Sequence, residues 1–331
     1  MTPAVRATYA ILCVMNYYIA VDIGGTQLRA ACYPCGQLMY SKADRISTQY
    51  QSTTPLERLE NLITSIWPED GSVSAIGVAA PGPIDPFLGV IHEAPNIPGW
   101  VELPLRQHLE QRFKIPVALG NDANLAALGE WKYGVGRGHR HLVYLTISTG
   151  IGGGVIIDNR LLLGAHGLAA ELGHVTILPD GPMCGCGLRG HLEAVAAGPA
   201  IARWVEQQLS NGVPSSIKMV KPLTAKEVGE AAKAGDSLAI SALERAGTFI
   251  GSLLGDYLHI FNPSIVIIGG GVSKTGDLLL KPMRTAMEKH VYSPFYLDDL
   301  VLTTAALGDD VGLIGALALA ASTVEETQSK P

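Results

Sequence analysis

The sequence predicts an α/β protein built from two similar halves that face each other across a cleft. Strand-like runs of apolar and β-branched residues alternate with helix-like periodic segments along most of the 331 residues. This length suits two domains, and 47% hydrophobic residues can supply their buried cores. A strand, glycine turn, strand pattern occurs in Ala20–Thr26 and again in Leu145–Gly154. A cleft between two such halves is a usual place for a ligand.

The predicted elements follow in chain order. Strands are predicted over Tyr18–Ile23, Leu28–Tyr33, Ser74–Ala79, Val117–Gly120, Leu142–Ser148, Gly153–Ile157, Ile265–Ile268 and Leu300–Thr304. Helices are predicted in the first half over Pro55–Trp67, Val101–Phe113 and Asp122–Tyr133. The second half is predicted to contain helices over Leu192–Leu209, Ala225–Ala234, Ser237–Phe261, Asp277–His290 and Asp309–Ala321. The polar tail, residues 322–331, is expected to fray.

Composition and charge exclude several classes of protein. The net charge is −6 and no Lys/Arg-rich run occurs, so no nucleic-acid partner is expected. The longest early apolar stretch, between Arg6 and Asp22, is shorter than the roughly 20 residues of a membrane span. That stretch resembles the apolar part of a signal peptide, but its second half reads as a core strand. Five cysteines in a chain of this size favour a cytoplasmic, reducing location. We expect residues 1–14 to be an N-terminal extension ahead of a start at Met15.

The two glycine turns are candidate phosphate-binding loops. Backbone N–H groups that carry no side chains can approach a phosphate closely, and threonine hydroxyls add donors. Asp22 is an acid in an apolar strand and requires a partner, which Mg²⁺ with a nucleotide phosphate would supply. The alternative is two ordinary hairpins with Asp22 capping its own turn. The candidate residues are Asp22, Gly24, Gly25, Thr26, Thr149, Gly150, Gly152 and Gly153.

A second candidate site lies where the segment Val117–Asn124 leaves a strand and enters a helix. Asn121 or Asp122 could simply cap that helix, as Asn and Asp often do. The alternative is functional, because α/β sheets bind ligands at the carboxyl ends of their strands. Asp122 could then accept the proton of a hydroxyl that attacks a phosphoryl group, while Asn121 orients the same sugar or alcohol.

A third candidate is a metal cluster of His174, Cys184, Cys186 and His191, which fall within 18 residues. Four nitrogen and sulfur ligands suit tetrahedral Zn²⁺, although two incidental thiols in a loop are the alternative. Four protein ligands leave no position for water, so the zinc would be structural. It would hold Glu171 and Glu193 beside His174, where the three side chains could bind several hydroxyls of a sugar ring. Cys32 and Cys35 are interpreted as incidental.

Together these motifs resemble the ROK family of repressors, open reading frames and sugar kinases, most closely its bacterial-type glucokinases. The resemblance runs from Tyr17 to Leu319, and the order and spacing of the motifs make it specific. The matching motifs are residues 22–26 (DIGGT), 80–85 (APGPID), 96–100 (NIPGW), 120–124 (GNDAN), 148–154 (STGIGGG), 171–174 (ELGH), 184–193 (CGCGLRGHLE) and 307–315 (LGDDVGLIG).

The resemblance implies the actin-like ATPase fold, which is ribonuclease H-like, with two α/β domains around a nucleotide cleft. It implies a small domain over residues 15–121 and a large domain with the zinc loop over residues 122–307. Residues 308–321 are then expected to pack back on the small domain. A homodimer or higher homo-oligomer is also expected.

The same resemblance implies ATP-dependent phosphorylation of glucose at the 6-hydroxyl, with Mg²⁺ accompanying ATP and Zn²⁺ as a structural ion. Asp122 becomes the general base. The implied sugar ligands are Gly82, Asn121, Asp122, Glu171, His174 and Glu193. The two glycine turns become the ATP phosphate loops, and Gly269, Gly270 and Gly271 border the adenosine. His191 departs from the family, which usually has a cysteine there.

Three alternatives stay open. The substrate could be another hexose, such as fructose, mannose, N-acetylglucosamine or N-acetylmannosamine, because the glutamate-bearing sugar site is shared. The protein could be a sugar-sensing repressor, but such relatives carry a helix-turn-helix domain ahead of the first glycine turn, and only residues 1–21 precede Asp22. A sugar-binding protein without catalysis is disfavoured, since Asp122 and both turns are intact.

Overall fold

The computed structural model describes residues 16–49, 53–94, 96–218 and 222–328. The expected extension, the expected start at Met15 and the last three residues of the tail lie outside the described residues.

In chain order the elements are β1 (Asn16–Ile23), β2 (Gln27–Pro34), β3 (Lys42–Ser47), α1 (Pro55–Ser65), β4 (Ser72–Ala80), β5 (Ile84–Asp85), β6 (Val90–Glu93), β7 (Val101–Leu103), α2 (Leu105–Phe113), β8 (Val117–Asn121), α3 (Asp122–Tyr133), β9 (Leu142–Ile147), β10 (Ile151–Ile157), β11 (Arg160–Leu161), α4 (Leu192–Ala196), α5 (Gly198–Ser210), α6 (Ala225–Lys233), α7 (Ser237–Phe261), β12 (Ile265–Gly269), α8 (Asp277–His290), β13 (Val301–Thr304) and α9 (Val311–Gln328). Short 3₁₀ helices cover Leu172–His174, Gly271–Thr275, Pro294–Tyr296 and Gly308–Asp310.

Two five-stranded mixed sheets share one design. The first has the order β3-β2-β1-β4-β8, and the second has the order β11-β10-β9-β12-β13. In each sheet an antiparallel hairpin, β1–β2 or β9–β10, continues through parallel strands on one side. A small third sheet contains β5, β6 and β7. The predicted α/β class and the predicted duplication are therefore confirmed.

The two glycine turns open these two sheets in the same way. Residues 24–26 connect β1 to β2, and residues 148–150 connect β9 to β10. The central strands β1, β4, β9 and β12 are largely buried, which accounts for their nearly continuous apolar sequences.

Helix α3 lies between the two halves and contacts both sheets. Its Leu125 and Leu128 pack in a cluster with α9 and the first sheet, whereas Ala126 and Ala127 pack with Tyr144 and the second sheet. Helix α9 packs against β1, β4 and β8 of the first sheet and against α3. The C-terminal helix therefore returns to the first half after the chain has built the second.

Glycines on β10 bring α3 into close contact with the second sheet. A Cβ at Gly152 would lie 2.7 Å from the Cβ of Ala123, and one at Gly154 would lie 2.5 Å from the Cβ of Ala127. Neither site has room for a larger residue unless α3 moves away. Part of the glycine run at 152–154 therefore serves packing, whatever its role toward a phosphate.

One predicted helix is wrong at its beginning. Residues Val101–Leu103 form strand β7, which pairs with β6, and the helix begins only at Leu105. Pro104 separates the two elements, because a proline disfavours the helical conformation of the residue before it.

Another predicted helix, Leu192–Leu209, is two helices, α4 and α5. Ala197 between them is extended, with φ −68° and ψ 164°. Pro199 has no N–H to donate to the carbonyl of Val195, and in a continuous helix its ring would crowd that carbonyl. The Arg245 guanidinium donates to the Val195 carbonyl instead, at 3.0 Å.

The expectation that the tail frays from residue 322 is also wrong, because α9 continues to Gln328. Residues 322–328 contain neither glycine nor proline, and 321–324 are half-buried, so nothing local ends the helix there. Among the described residues, no helix combines the length and the apolar character that crossing a bilayer requires.

The short strands β3, β5, β6, β7 and β11 were not predicted. Strand β3 (Lys42–Ser47) is mostly exposed and polar, so it carries no alternating pattern. It is a strand because its backbone pairs with β2 at the edge of the first sheet.

We predict that Gly154→Ala destabilises the fold by about 1–3 kcal/mol, since the added methyl group overlaps Ala127. Gly185→Ala is the control, because a Cβ there would face open space. Urea unfolding followed by circular dichroism measures both. Equal stability of the two variants would mean that α3 can move away from β10 without cost.

Candidate functional site

Two adjoining cavities lie beside the turn at residues 148–150. The acidic cavity, with a volume of about 370 Å³, is lined by Gly82, Asn121, Asp122, Ala123, Thr146, Ser148, Thr149, Gly150, Ile151, Gly152, Gly153, Glu171, His174 and Glu193. The lysine cavity, of about 780 Å³, is lined by Ser148, Thr149, Gly198, Pro199, Pro222, Leu223, Thr224, Ala225, Lys226, Gly229, Glu230, Lys233, Gly271, Val272, Lys274 and Thr275. Ser148 and Thr149 line both cavities, so the two spaces meet at this turn.

Asp122 is the first residue of α3 and points into the acidic cavity. One of its carboxylate oxygens accepts a hydrogen bond from the Ala123 N–H at 2.7 Å. The side chain is exposed to the cleft, although protein atoms surround it on most sides. This burial, with smaller contributions from the charges of Asp22 and Glu171, raises the pKa of Asp122 to about 6.

Asn121 both caps the helix and lines the acidic cavity. Its side-chain oxygen accepts from the N–H groups of Ala123 and Asn124 at 3.0 and 3.2 Å. Its side-chain amide nitrogen faces Gly82, where a Cβ would lie 3.5 Å from it. The N-cap interpretation is therefore confirmed, and it leaves the amide N–H groups available to a ligand.

Two further carboxylates face Asp122 across the cavity. Glu193, near the start of α4, accepts a hydrogen bond from the Ile151 N–H at 3.0 Å. It approaches the turn this closely because Gly150 has no side chain: a Cβ there would lie 2.5 Å from a Glu193 oxygen. Burial and the nearby Glu193 raise the pKa of Glu171, while His174 opposes the shift. Such a cavity can accept hydrogen bonds from several hydroxyl groups at once.

The predicted metal ligands meet at one point. One ligand atom from each of His174, Cys184, Cys186 and His191 lies within 4.8 Å of all the others. The two histidine Nδ1 atoms are 3.3 Å apart. The Cys184 sulfur lies 3.6 Å from Nδ1 of His174, and the Cys186 sulfur lies 3.3 Å from Nδ1 of His191. A tetrahedral Zn²⁺ site requires edges of about 3.3 Å between nitrogens and about 3.6 Å between nitrogen and sulfur, so the four residues fit the ion.

Backbone hydrogen bonds shape the loop that carries these ligands. The Cys184 N–H donates to the Leu188 carbonyl at 2.8 Å, and the Gly190 N–H donates to the Pro182 carbonyl at 3.0 Å. The buried Cys184 sulfur also lies 3.4 Å from a Glu193 oxygen. Burial raises the pKa of the Cys184 thiol, so binding of a metal ion would release its proton. His174 and Glu193 connect the metal cluster directly to the acidic cavity.

The lysine cavity was not predicted as such. Lys226 and Lys233 line it from α6, together with Glu230 of the same helix, and Lys274 lines it from the 3₁₀ helix Gly271–Thr275. Of the three glycines expected near an adenosine, Gly271 lines this cavity. Gly269 and Gly270 instead leave room for the Tyr144 ring and the Ile147 backbone. The cavity combines cationic groups with apolar walls, a combination suited to an anionic ligand with a flat apolar part.

The first glycine turn has a different environment. The partner that Asp22 requires is Arg29, which stands opposite it in the β1–β2 register and donates two hydrogen bonds at 2.6 and 3.0 Å. The interpretation of Asp22 as a cap of its own turn is therefore unnecessary. Gly25 packs against Asn96, where a Cβ would lie 2.6 Å from the asparagine Cβ. Residues 22–26 line neither of the two cavities. Their role toward a phosphate stays a prediction.

Sequence reasoning missed Glu130, a fully buried carboxylate on α3. It accepts hydrogen bonds from three backbone N–H groups, those of Val135, Ala306 and Leu307. The available signal was an acid directly after the apolar run Leu125–Gly129 of the same helix, eight residues after Asp122.

Comparisons with known proteins agree with one another. A protein-family model described as "ROK family" matches residues 18–323 of the sequence. The chain is 36% identical over 307 residues to a protein named Glucokinase from Thermotoga maritima, covering 91% of this chain and 96% of that protein. It is also 36% identical to a Glucokinase from Halalkalibacterium halodurans, covering 91% and 93% of the two chains. Its structure is similar to that of a ROK family glucokinase from Streptomyces griseus in complex with glucose and AMPPNP, with a TM-score of 0.78, 34% identity and coverage of 92% and 99%.

The raised pKa of Asp122 predicts a pH-dependent cost in stability. Between the ordinary pKa of 3.8 and the folded value of about 6, the folded state binds more protons than the unfolded state, so this group lowers stability as pH rises. Asp122→Asn removes the cost. Its Tm should rise relative to wild type between pH 4 and about 6 and then stay constant. Differential scanning fluorimetry measures this, with the exposed Asp298→Asn as control. A Tm difference that does not depend on pH would contradict the assigned environment.

Proposed function

The chain belongs to the ROK family, and from that premise we propose that it is a glucokinase, which transfers the γ-phosphoryl group of ATP to the 6-hydroxyl of glucose. The products are glucose 6-phosphate and ADP. One observation carries the proposal: the acidic cavity and the lysine cavity adjoin at Ser148 and Thr149. A hydroxyl bound in one cavity and a phosphate chain bound in the other can therefore meet at a single backbone turn.

The sugar belongs in the acidic cavity. Glu171 and Glu193 accept hydrogen bonds from its hydroxyls, the side-chain amide of Asn121 donates to it, and the Gly82 backbone borders it. The size of the cavity, about 370 Å³, suits one ring-sized ligand. The choice of glucose rests on the relatives named Glucokinase and on the similar enzyme structure with bound glucose.

Asp122 acts as the general base. Its carboxylate takes the proton of the 6-hydroxyl as that oxygen attacks the γ-phosphorus, and the bond between the γ-phosphorus and the bridging oxygen of ADP breaks. With a pKa of about 6, the group is ionised at neutral pH and still basic enough to hold the proton. Its hydrogen bond from the Ala123 N–H fixes the carboxylate at the start of α3.

ATP belongs in the lysine cavity, with its phosphate chain directed toward Thr149. Lys226, Lys233 and Lys274 supply positive charge, and the turn at 148–150 supplies backbone N–H groups and hydroxyls toward the transferred group. Mg²⁺ enters with ATP as part of the substrate. The first glycine turn and Asp22 stay predicted contacts of the phosphates and of Mg²⁺.

Zinc belongs to the cluster of His174, Cys184, Cys186 and His191, whose geometry fits it. When bound, the ion supplies a structural cross-link and a positive charge beside the glutamates. His174 uses Nδ1 in the cluster, which leaves Nε2 for a sugar hydroxyl. The expected homo-oligomeric state and cytoplasmic location stay predictions.

An assay of phosphoryl transfer against a panel of hexoses tests the function. We expect ADP formation with glucose to exceed that with fructose, mannose, N-acetylglucosamine and N-acetylmannosamine. Asp122→Asn should lose about 10²–10⁴-fold in kcat, because it cannot accept the proton, and should still bind glucose. Asp298→Asn is the control. Wild-type protein that binds glucose but forms no ADP would indicate a sugar sensor, and preference for another hexose would change the substrate only.

Metal analysis by mass spectrometry tests the zinc site. Wild-type protein should contain one Zn²⁺ per chain, and Cys184→Ser should lose it and raise the KM for glucose more than the KM for ATP. His191→Cys should keep the ion, because thiolate is an equally good ligand. Binding should weaken on acidification, since the thiols must be ionised. Wild-type protein without zinc, or unchanged glucose affinity in Cys184→Ser, would contradict the structural role.

A further inference from the structure

Two segments connect the two halves of the chain, and backbone N–H groups of both segments donate hydrogen bonds to the Glu130 carboxylate. Each of these segments is called a crossing. The first crossing, residues 134–141, leads from α3 to β9, and the second, residues 305–310, leads from β13 to α9. One Glu130 oxygen accepts from the Val135 N–H of the first crossing at 3.1 Å. The other accepts from the Ala306 and Leu307 N–H groups of the second, at 2.8 Å each.

Backbone N–H groups surround the Glu130 carboxylate. Its side chain is fully buried, so the charge requires hydrogen-bond donors. Within the described parts of the chain, no lysine, arginine or histidine lies at ion-pair distance from it. The compensation comes from the backbone of the two crossings. Gly134 has no side chain to collide with the carboxylate, which lets the chain turn closely around it.

The position of Glu130 also relates it to the reaction. Asp122 begins the same helix eight residues earlier, roughly 12 Å away along the axis. The acidic cavity takes Gly82, Asn121 and Asp122 from one side and Glu171, His174 and Glu193 from the other. The residues that line the lysine cavity all come from the second half, between Ser148 and Thr275.

We propose that Glu130 is a positioning residue that fixes the two halves relative to each other, and with them the distance from Asp122 to the sugar ligands opposite. The proposal rests on the proposed kinase function. Removing a hydrogen bond to Glu130 therefore weakens sugar binding and slows phosphoryl transfer, while nucleotide binding is preserved. A residue that only stabilises the fold would change neither affinity in the folded protein.

Glu130→Gln is the test variant. Its amide oxygen can still accept from Ala306 and Leu307, but its NH₂ group cannot accept from Val135, so one crossing is released. We expect kcat to fall by about 10²-fold, as for a misplacement of about 1 Å. The glucose Kd, by calorimetry, should rise about tenfold, equivalent to one lost hydrogen bond to a charge. The Kd of a non-hydrolysable ATP analogue should stay the same.

Asp236→Asn is the matched control. Asp236 is also a buried carboxylate with backbone donors, accepting from the Ala239 and Ser216 N–H groups at 2.9 and 2.5 Å, but it lies wholly within the second half. Hydrogen bonds hold its pKa at about 2 despite burial, so the variant should lose stability. Its glucose Kd and kcat should stay near the wild-type values.

The outcomes separate the hypotheses. If Glu130→Gln loses only stability, as Asp236→Asn does, the positioning role is wrong. If wild-type protein shows no kinase activity, the proposed function fails, but the glucose Kd still tests Glu130. If Glu130→Gln does not fold, Glu130→Asp and amide exchange in wild-type protein replace it. The Val135, Ala306 and Leu307 N–H groups should be strongly protected, and rapid exchange at these amides would overturn the proposal.

Discussion

The structure depends on the placement of α3, which must contact both sheets while its first residue faces the cleft. Its contact with β10 is possible because Gly152 and Gly154 leave room for Ala123 and Ala127. Its contact with α9 is equally close: a Cβ at Gly315 would overlap the Leu125 backbone. Dense packing on both sides of α3 transmits small displacements, so a shift of the helix would also move Asp122 at its start. The acidic cavity forms where this helix begins.

Three carboxylates share that cavity, and their mutual repulsion must be offset. Glu193 accepts from the Ile151 N–H, and Asp122 accepts from the Ala123 N–H. The metal cluster lies directly behind His174 and Glu193, where a bound cation would reduce the repulsion further. The arrangement therefore brings Asp122, Glu171 and Glu193 around one cavity and places the four residues of the candidate metal cluster beside it.

The turn at residues 148–150 lies where the two cavities meet. A hairpin turn at 148–150 lies between the acidic cavity and a cavity edged by lysines, so a hydroxyl acceptor and a phosphate donor can meet over backbone N–H groups. The equivalent turn of the first sheet has the same local sequence pattern, but its acid, Asp22, is neutralised by Arg29. The two turns therefore have similar local structure but different neighbours, because the residues around each turn come from distant parts of the chain.

The sequence by itself determined the α/β class, the duplicated hairpins, the grouping of the four candidate metal ligands and the place of Asp122 between a strand and a helix. These features depend on the periodicity of apolar residues, on the residue types that form turns and on short spacings along the chain, all of which are local properties. Only the tertiary structure decided that Arg29 neutralises Asp22, that three lysines share a cavity, that polar β3 is a strand and that Glu130 joins residues 135, 306 and 307. The physical reason is that a buried charge is stabilised by whichever donors the fold brings to it. Such donors lie far apart along the chain and leave no periodic signal.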